Sequence, residues 1–494
     1  MEENKVLTTE KSFGRMVLSL VLPLALQNLI NVAVNGADVF MLQMIGETSL
    51  SAASMAGQVF FIMSLILFGM TSGASVLTAQ YWGKKDIRTV ERVLAMTMRM
   101  AVLVSMVFFA ASFFFPRFIM GLLTDVPEVI EEGIPYLRIM SFTYPLVAIT
   151  DVILYVLRSV EKVNISTAVY LTSLLTNIGL NLLFIKGWLG FPKLGIVGVA
   201  IATLAARLVE ILMAVIYMRV NGMIRLHPKD LIKGSKLLRK DFFSYALPVV
   251  MNETMWGLAI SLSATVIGHL GKEAIAAQSV ATTVRQLAMV VVFGIANATA
   301  IIVGKEIGAG NAENAVRYSK KLMKFGVVAG LCGAALMLCV RPILPMIMGN
   351  LSEKAADYLM FMILALAIYV IFSSISAVGI VGVFRAGGDT RVGLLLDIGV
   401  LWGFSLPAGA IAAFLLGWDV KVVFALLVSD EMIKAPIVFW RFKSMKWLHN
   451  VTRTVGEIKS DVKGRPYTPD GVRIPLPGEE LPADTSASSE KTSA

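Results

Sequence analysis

The sequence predicts an all-α polytopic membrane protein, with twelve transmembrane helices in two six-helix bundles related by a pseudo-two-fold axis along the membrane normal. Composition is the first reason. Of the 494 residues, 56% are hydrophobic and 16% are charged, whereas about 25% are charged in a typical soluble domain. The second reason is a succession of apolar segments of about 18 or more residues, each long enough to cross a hydrocarbon core about 30 Å thick.

An internal repeat at a spacing of 225 residues is the third reason. Pro23 recurs as Pro248, and three glycines recur in the same register. These residues weigh more than shared apolar residues, because each fixes a backbone bend or a close approach between helices. Since each copy holds an even number of spans, both halves keep the same orientation, and parallel repeats of this kind are typical of secondary transporters. The repeated glycines are Gly46, Gly69 and Gly83, which return as Gly271, Gly294 and Gly308.

The apolar segments set the predicted domain boundaries. An N-lobe covers 16–218, with spans at 16–43, 50–80, 92–115, 134–157, 166–186 and 195–218. A C-lobe covers 242–445, with spans at 242–268, 274–303, 317–340, 356–384, 392–416 and 421–440. Residues 1–15 form a cytoplasmic N-terminus and 219–241 a basic cytoplasmic linker. The cytoplasmic tail 446–494 is rich in Pro, Ser, Thr, Glu and Asp and is predicted to be disordered, because such a composition buries little apolar surface. The alternative is that part of it covers the lobes.

The loops between spans predict the orientation in the membrane. One set of loops carries many basic residues, among them Lys84, Arg158, Lys229 and Lys305, and the opposite set carries few. Basic loops stay on the cytoplasmic side, so both termini should be cytoplasmic and the protein should reside in the plasma (inner) membrane. This topology accounts for the net charge of +10 without a nucleic-acid partner. We expect a monomer whose partners are the bilayer, small organic substrates and a coupling cation.

The sequence lacks the residues that several classes of chemistry require. Cys332 and Cys339 lie on one apolar segment, too far apart to bridge, and three histidines leave little for a metal site. A glycine-rich phosphate loop followed by Lys-Ser or Lys-Thr is missing, which argues against an ATP-driven pump. A membrane-embedded enzyme would need a cluster of His, Asp or Glu at one interface. We therefore expect neither an enzyme nor a cofactor.

The first span carries four polar residues on one helical stripe: Asn28, Asn31, Asn35 and Asp38. A charge at the centre of a membrane helix costs about 2.5–3.5 kcal/mol on insertion scales, so the stripe should face other helices or a water-filled cavity. The asparagines suit either a substrate cleft or a hydrogen-bonded seam between helices, at about 0.6 kcal/mol per bond. For Asp38 we favour a functional role, since a structural seam rarely needs a carboxyl group.

Two later spans supply neutral oxygen atoms. Asn177 and Asn181 lie one turn apart on the fifth span, and Thr203 lies on the sixth. If these spans pack on the first, Asp38 is surrounded by amide and hydroxyl groups. One carboxylate among neutral oxygens suits a small hard cation, or a proton in its place. The sequence leaves these two ions open.

Further ionisable residues are candidates for the substrate cleft. Asp151 on the fourth span either faces the cleft or pairs with Arg158 or Arg138. Glu253 follows Pro248 on the seventh span, with Trp256 nearby. A carboxylate beside an aromatic ring attracts organic cations, although a role at the proline kink is an alternative.

Arg285, within the eighth span, completes the candidate cleft residues. We expect it to neutralise Glu253 or Asp397. Nearer the basic end of the last span, Asp430, Glu431 and Lys434 are predicted to form ordinary pairs between helices.

Taken together, the residues resemble the multidrug and toxic compound extrusion family, within a wider group that includes lipid-linked oligosaccharide flippases. The resemblance covers roughly residues 14–445 and implies two six-helix lobes around a cleft that opens alternately to each side. It implies export of cationic or amphipathic organic compounds in exchange for Na⁺ or H⁺, with a first-lobe cation site at Asp38, Asn177, Asn181 and Thr203. The matching residues are Pro23, Asp38, Gly46, Gly69, the run from Ala79 to Gly83, Gly271, the run from Ala276 to Ser279, Gly294, the run from Gly304 to Gly310 and the loop from Phe384 to Thr390.

Two departures from the family pattern concern the coupling ion. Many relatives carry Asp where this chain has Asn181, and others carry Asp in the tenth span near Ser374. The first lobe therefore keeps one carboxylate, and Na⁺ and H⁺ both stay open. We predict a secondary active multidrug antiporter. The alternatives are a flippase for lipid-linked sugars, which a cleft lined by many arginines would favour, and a passive channel.

Overall fold

The computed structural model describes residues 2–187, 190, 192–232, 234–344 and 352–463, which are mostly helical. The N-lobe helices are α1 (Glu2–Gln43), α2 (Glu47–Gly83), α3 (Ile87–Phe114), α4 (Pro116–Leu123), α5 (Pro127–Ser141), α6 (Thr143–Ser159), α7 (Val163–Lys186) and α8 (Gly195–Asn221). A short helix α9 (Pro228–Ile232) lies between the lobes. The C-lobe holds α10 (Lys236–Gly268), α11 (Lys272–Gly308), α12 (Ala312–Val340), α13 (Glu353–Phe384), α14 (Thr390–Phe414), α15 (Val420–Leu427) and α16 (Asp430–Lys443), and α17 (Val455–Lys463) follows.

The predicted all-α membrane fold is confirmed. Within the described ranges, nine helices are long and apolar enough to cross a membrane, and the bent pair α5–α6 makes a tenth span. The seventh and twelfth predicted spans correspond to α10 and to α15–α16. Helix α10 carries charged side chains such as Glu253, and the twelfth span is divided between two short helices of 8 and 14 residues, of which α16 carries Lys434. These charges are tolerated because other helices surround them.

The fourth span is not the continuous helix that we predicted. It bends by 41° between α5 and α6. Pro145 lies three residues beyond Phe142, where the two helices meet. Proline has no N–H to donate to the fourth residue before it and clashes with that carbonyl, so a helix bends just ahead of it. The first span differs as well, since α1 begins at Glu2 and so includes most of the predicted N-terminal segment 1–15.

The two copies of the sequence repeat make equivalent contacts between the lobes, because the first helix of each lobe packs on the second helix of the other. Helix α10 packs on α2, and α1 packs on α11. A Cβ on Gly69 would lie 2.5 Å from the Cα of Val250, and one on Gly294 would lie 3.1 Å from the backbone nitrogen of Ala25. Gly294 follows Gly69 by 225 residues, and Val250 follows Ala25 by the same number. The repeated glycines therefore mark equivalent helix contacts, as a pseudo-two-fold arrangement requires.

The lobes meet closely at the end of the bundle that carries the basic loops. A Cβ on Gly83 would lie 2.0 Å from the carbonyl oxygen of Lys305, and one on Gly308 would lie 1.8 Å from that of Gln80. The Lys305 ammonium also contacts the Glu161 carboxylate at 2.8 Å. Only glycine permits this approach of α2 and α11, and the structure is closed at this end.

The tail differs from the predicted disorder over residues 446–463. Trp447 is fully buried. The backbone N–H of Val451 donates to Gln80 Oε1 at 2.8 Å, and Arg453 donates to both Asp241 carboxylate oxygens at 2.5 and 2.7 Å. A few apolar residues within the polar tail therefore suffice to fix it across both lobes. The remainder of the predicted tail, 464–494, lies outside the described residues. The predicted linker 219–241 is also partly helical, since α10 already begins at Lys236.

Candidate functional site

A cavity of about 460 Å³ lies inside the N-lobe. Its walls come from α1, α2, α6, α7 and α8, and Phe293 and Asn297 of α11 close it on the C-lobe side. The fold brings six of the predicted residues to this cavity, although they come from four different helices. They are Asn28, Asn31, Asp38, Asp151, Asn177 and Thr203.

The four predicted cation-site residues form one hydrogen-bonded chain. Asn181 Nδ2 lies 3.5 Å from Asp38 Oδ1 and donates to Asn177 Oδ1 at 3.0 Å. Asn177 Nδ2 donates to the Thr203 hydroxyl at 3.1 Å, and that hydroxyl donates to the Val199 carbonyl one turn earlier. The one-turn spacing of Asn177 and Asn181 on α7 aims both amides at α1 and α8, because residues four apart share a helix face.

Within the described structure, one buried oxygen of these four side chains has no hydrogen-bond partner. Asn181 is completely buried, and its Oδ1 atom is unsatisfied. A buried polar atom without a partner is unfavourable by about 1–3 kcal/mol. In the part of the chain that the structure describes, Asp38 forms no ion pair, since the nearby Arg207 binds Glu210 at 2.6 Å. The site therefore offers an unpaired carboxylate and a free amide oxygen next to each other.

A second polar group lies on the same cavity wall, toward the basic end. Asp151 accepts a hydrogen bond from the Tyr170 hydroxyl at 3.3 Å. The Arg158 guanidinium lies over the Tyr155 and Tyr170 rings, at 4.7 and 5.5 Å from their centroids. Of the two alternatives for Asp151, the structure shows the carboxylate at the cavity and, within the described residues, no ion pair with Arg158 or Arg138.

Charged lining residues give the cavity a slight negative excess. Among the described lining residues, the carboxyl groups of Asp38, Asp151 and Glu210 outnumber the guanidinium groups of Arg158 and Arg207 by one. Glu210 was missed from the sequence, although its spacing of three residues from Arg207 within an apolar span predicts an ion pair on one helix face. Such a field favours cationic over anionic ligands.

The asparagines of α1 take different roles. Asn28 Nδ2 donates to the Val290 carbonyl of α11 at 3.4 Å, so it contributes to the seam between the lobes as well as to the cavity wall. Asn31 lines the cavity and is exposed there. Asn35 lies within α1, but its side chain is outside the described part of the structure. The stripe therefore contributes both to a seam between helices, through Asn28, and to the wall of the cavity, through Asn31.

The predicted C-lobe cleft residues do not line this cavity. Glu253 is ion-paired with Arg385, which also donates to the Ser72 hydroxyl of α2 at 2.9 Å. The expectation that Arg285 neutralises Glu253 or Asp397 is wrong. The Arg285 guanidinium instead lies over the Tyr369 ring, 5.4 Å from its centroid. It lines a small C-lobe cavity of about 70 Å³ together with Trp256.

Asp397 belongs to a buried cluster of charges in the C-lobe. The Lys434 ammonium, 1% exposed, contacts the carboxylates of Asp397, Asp430 and Glu431 at 2.8, 3.0 and 2.9 Å. Asn252 donates to the second Asp397 oxygen at 2.9 Å. Two of these three ion pairs lie within α16 itself, and the pair between helices, which is the kind that was predicted, joins Lys434 to Asp397 of α14. Sequence spacing alone could not identify the third carboxylate, which lies 37 residues away.

The chain matches the profile of a family described as MatE over residues 23–183 and 248–411. The two matched segments begin 225 residues apart, at Pro23 and Pro248, and correspond to the two lobes. Together they cover about two thirds of the sequence.

Similar proteins match along most of the chain. A probable multidrug resistance protein NorM from Rhizobium meliloti is 25% identical over 87% of this chain and 92% of its own length. The multidrug resistance protein MdtK from Pectobacterium atrosepticum is 23% identical, with coverages of 81% and 88%. Among solved structures, a Pyrococcus furiosus transporter of the MOP superfamily aligns with a TM-score of 0.79 at 19% identity, covering 87% of this chain and 95% of that chain. A mutant of the Vibrio cholerae MATE transporter VcmN aligns with a TM-score of 0.80 at 15% identity, with coverages of 89% and 98%.

Proposed function

Because the chain belongs to the multidrug and toxic compound extrusion (MATE) family, we propose that it is a secondary active antiporter that exports cationic or amphipathic organic compounds in exchange for Na⁺ or H⁺. The family consists of multipass membrane transporters, and two of the relatives named above are described as a probable multidrug resistance protein and a multidrug resistance protein. In our proposal both termini face the cytoplasm, and the two lobes alternate between states open to either side of the membrane.

The arrangement of Asp38 and Asn181 is the observation that carries this proposal. The carboxylate lies at the cavity without an ionic partner among the described residues, next to the free Oδ1 of a buried amide. A purely structural seam would satisfy that oxygen, and a permanent ion pair would neutralise the acid. A site that binds and releases a cation in turn keeps its carboxylate free of a permanent ion pair and can keep an oxygen without a partner.

The hydrogen bonds among Asn177, Asn181 and Thr203 favour a proton over a sodium ion as the coupling ion. Hard metal cations take several oxygen ligands, but the oxygens of Asn177 and Thr203 already accept hydrogen bonds. Sodium would compete with these hydrogen bonds for the same two oxygens. A proton on Asp38 needs no such set of ligands, because the carboxyl oxygen itself holds it.

Coupling in this proposal needs only that the ion and the substrate each bind the two states of the lobes with different affinity. An ion that binds Asp38 more tightly in one state of the lobes shifts the equilibrium toward that state, and a substrate that binds the cavity better in the other state shifts it back. A volume of about 460 Å³ suits a small organic molecule. The negative excess of the cavity suits a cation and disfavours the phosphorylated lipid of a flippase, so we propose no second function.

Transport in proteoliposomes tests this proposal. Wild-type protein is reconstituted, and uptake of a fluorescent organic cation is followed under an imposed sodium gradient and, separately, under an imposed pH gradient. We expect one of the two gradients to drive uptake against the substrate gradient. Uptake that equals that of protein-free liposomes under both gradients, with folded protein present, would contradict the proposal.

A further inference from the structure

A second cavity, of about 910 Å³, lies on the outer face of the N-lobe, away from the central cavity. Helix α6 forms its floor, because α6 packs on both α3 and α8. Helices α3 and α8 form its walls, and residues of the segment 224–231 between the lobes close the end that carries the basic loops. The result is a groove along the side of the bundle, which we call the lateral groove.

The lateral groove is apolar along its length and basic at one end. Its floor and walls are aliphatic, for example Val102 and Met106 on α3 and Ile153 on α6. Among the described residues, the charged ones that line it are arginines, Arg99 and two others at the loop end. Val102 and Met106 lie one and two turns beyond Arg99, so the apolar part extends about 10 Å along α3 from the basic end. The two other arginines are Arg219 and Arg225.

These arginines are not neutralised by neighbouring acids. Two carboxylates of the described residues lie nearby, Glu91 and Asp230, and Arg88 binds both, at 3.0 and 2.7 Å. Within the described residues, Arg99, Arg219 and Arg225 form no ion pair, and Arg99 Nε is buried without a hydrogen-bond partner. The groove therefore ends in uncompensated positive charge and an unsatisfied donor.

We propose that the lateral groove is a binding site for an acidic phospholipid of the leaflet on the side of the basic loops, the predicted cytoplasmic leaflet. The guanidinium groups of Arg99, Arg219 and Arg225 hold the phosphate-bearing headgroup, and the acyl chains lie along Val102 and Ile153. Guanidinium groups bind phosphate through paired hydrogen bonds, and basic pockets between membrane helices on the cytoplasmic side suit acidic headgroups. Three arginines repel the organic cations proposed for the central cavity, so the two sites take different ligands.

Native mass spectrometry of the purified full-length chain in detergent tests this site. The chain is titrated with dioleoyl phosphatidylglycerol and, separately, with dioleoyl phosphatidylcholine, which has the same acyl chains. We expect tighter retention of phosphatidylglycerol. In the variant R219Q/R225Q its affinity should fall about 30-fold, since each basic residue near a charged headgroup contributes about 1 kcal/mol and about 1.4 kcal/mol is a factor of ten. Both side chains are exposed, so folding should not suffer.

A matched variant and a competitor separate the alternatives. R317Q/R391Q removes two exposed arginines of the C-lobe and should leave phosphatidylglycerol binding unchanged. Three results would overturn the proposal. They are an equal loss of affinity in this control, unchanged binding in R219Q/R225Q, and equal retention of the two lipids. Millimolar inorganic phosphate should not release the bound lipid. Release would show a site for free phosphate and would likewise refute lipid recognition. The assay measures no transport, so its outcome is independent of the proposed antiport.

Discussion

Replacement of Asp38 by asparagine tests the coupling site most directly. The substitution keeps the size of the side chain and removes its charge. The Asp38 carboxylate lies 3.5 Å from Asn181 Nδ2, which is at the long limit for a hydrogen bond. An asparagine oxygen can accept the same contact. The free energy of unfolding should therefore change by no more than about 1 kcal/mol, and the variant should be expressed and purified like the wild type.

The effect on transport should be much larger than the effect on stability. A tenfold ion gradient is worth about 1.4 kcal/mol, so a one-for-one exchanger can accumulate its substrate up to about tenfold against it. Without an ionisable group at position 38, the ion no longer binds one state of the lobes preferentially, and the gradient cannot be used. We expect D38N to equilibrate the substrate across the membrane, at a ratio near one, whichever gradient is imposed.

The assay is substrate accumulation in proteoliposomes, with D125N as the matched control. Asp125 lies in an exposed loop, so the same chemical change there should leave accumulation at the wild-type level. Gradient-driven accumulation by D38N equal to that of the wild type would remove Asp38 from the mechanism. A collapse of D125N as well would show that the assay reports something other than the site.

Three further substitutions test the packing that supports the site. Gly308→Ala places a methyl group 1.8 Å from a backbone carbonyl of α2 and should destabilise the closed basic end by about 1–3 kcal/mol, seen as a lower melting temperature; Gly57→Ala, with open space around it, should not. Lys434→Met leaves three buried carboxylates without their cation and should lower stability by about 3–5 kcal/mol, whereas Lys421→Met at the surface should change it little. Trp447→Ala should reduce the free energy of unfolding by about 3–5 kcal/mol, because that ring is fully buried; an unchanged melting temperature would mean that the tail does not pack on the lobes.

Much of the fold was predictable from the sequence because its cause is local. Burial in a hydrocarbon core requires long apolar segments, so the apolar runs located most spans to within a few residues. The exceptions are α1, which begins at Glu2, and the bent fourth span. The repeat predicted the parallel arrangement of the lobes, and the glycine pair Gly69 and Gly294 marks the same contact in each. The bend before Pro145 could have been predicted as well, since proline breaks the helix hydrogen bond at a known offset.

The candidate site was predictable only in part. Helical periodicity places Asn177 and Asn181 on one face, and the cost of burying a carboxylate in a membrane singles out Asp38. That the two faces meet depends on how α1 and α7 are rotated about their axes, which packing decides.

Other partners followed only from the tertiary structure. Glu253 binds Arg385, 132 residues away, rather than Arg285. The apolar residues of the tail pack against surfaces of both lobes, so their contacts depend on the folded lobes. The sequence by itself determined where helices form and which of their faces are polar, because those depend on neighbours one turn away. The tertiary structure decided which polar faces oppose each other, because a buried charge is stabilised by whichever opposite charge the packing of the whole bundle brings within about 4 Å.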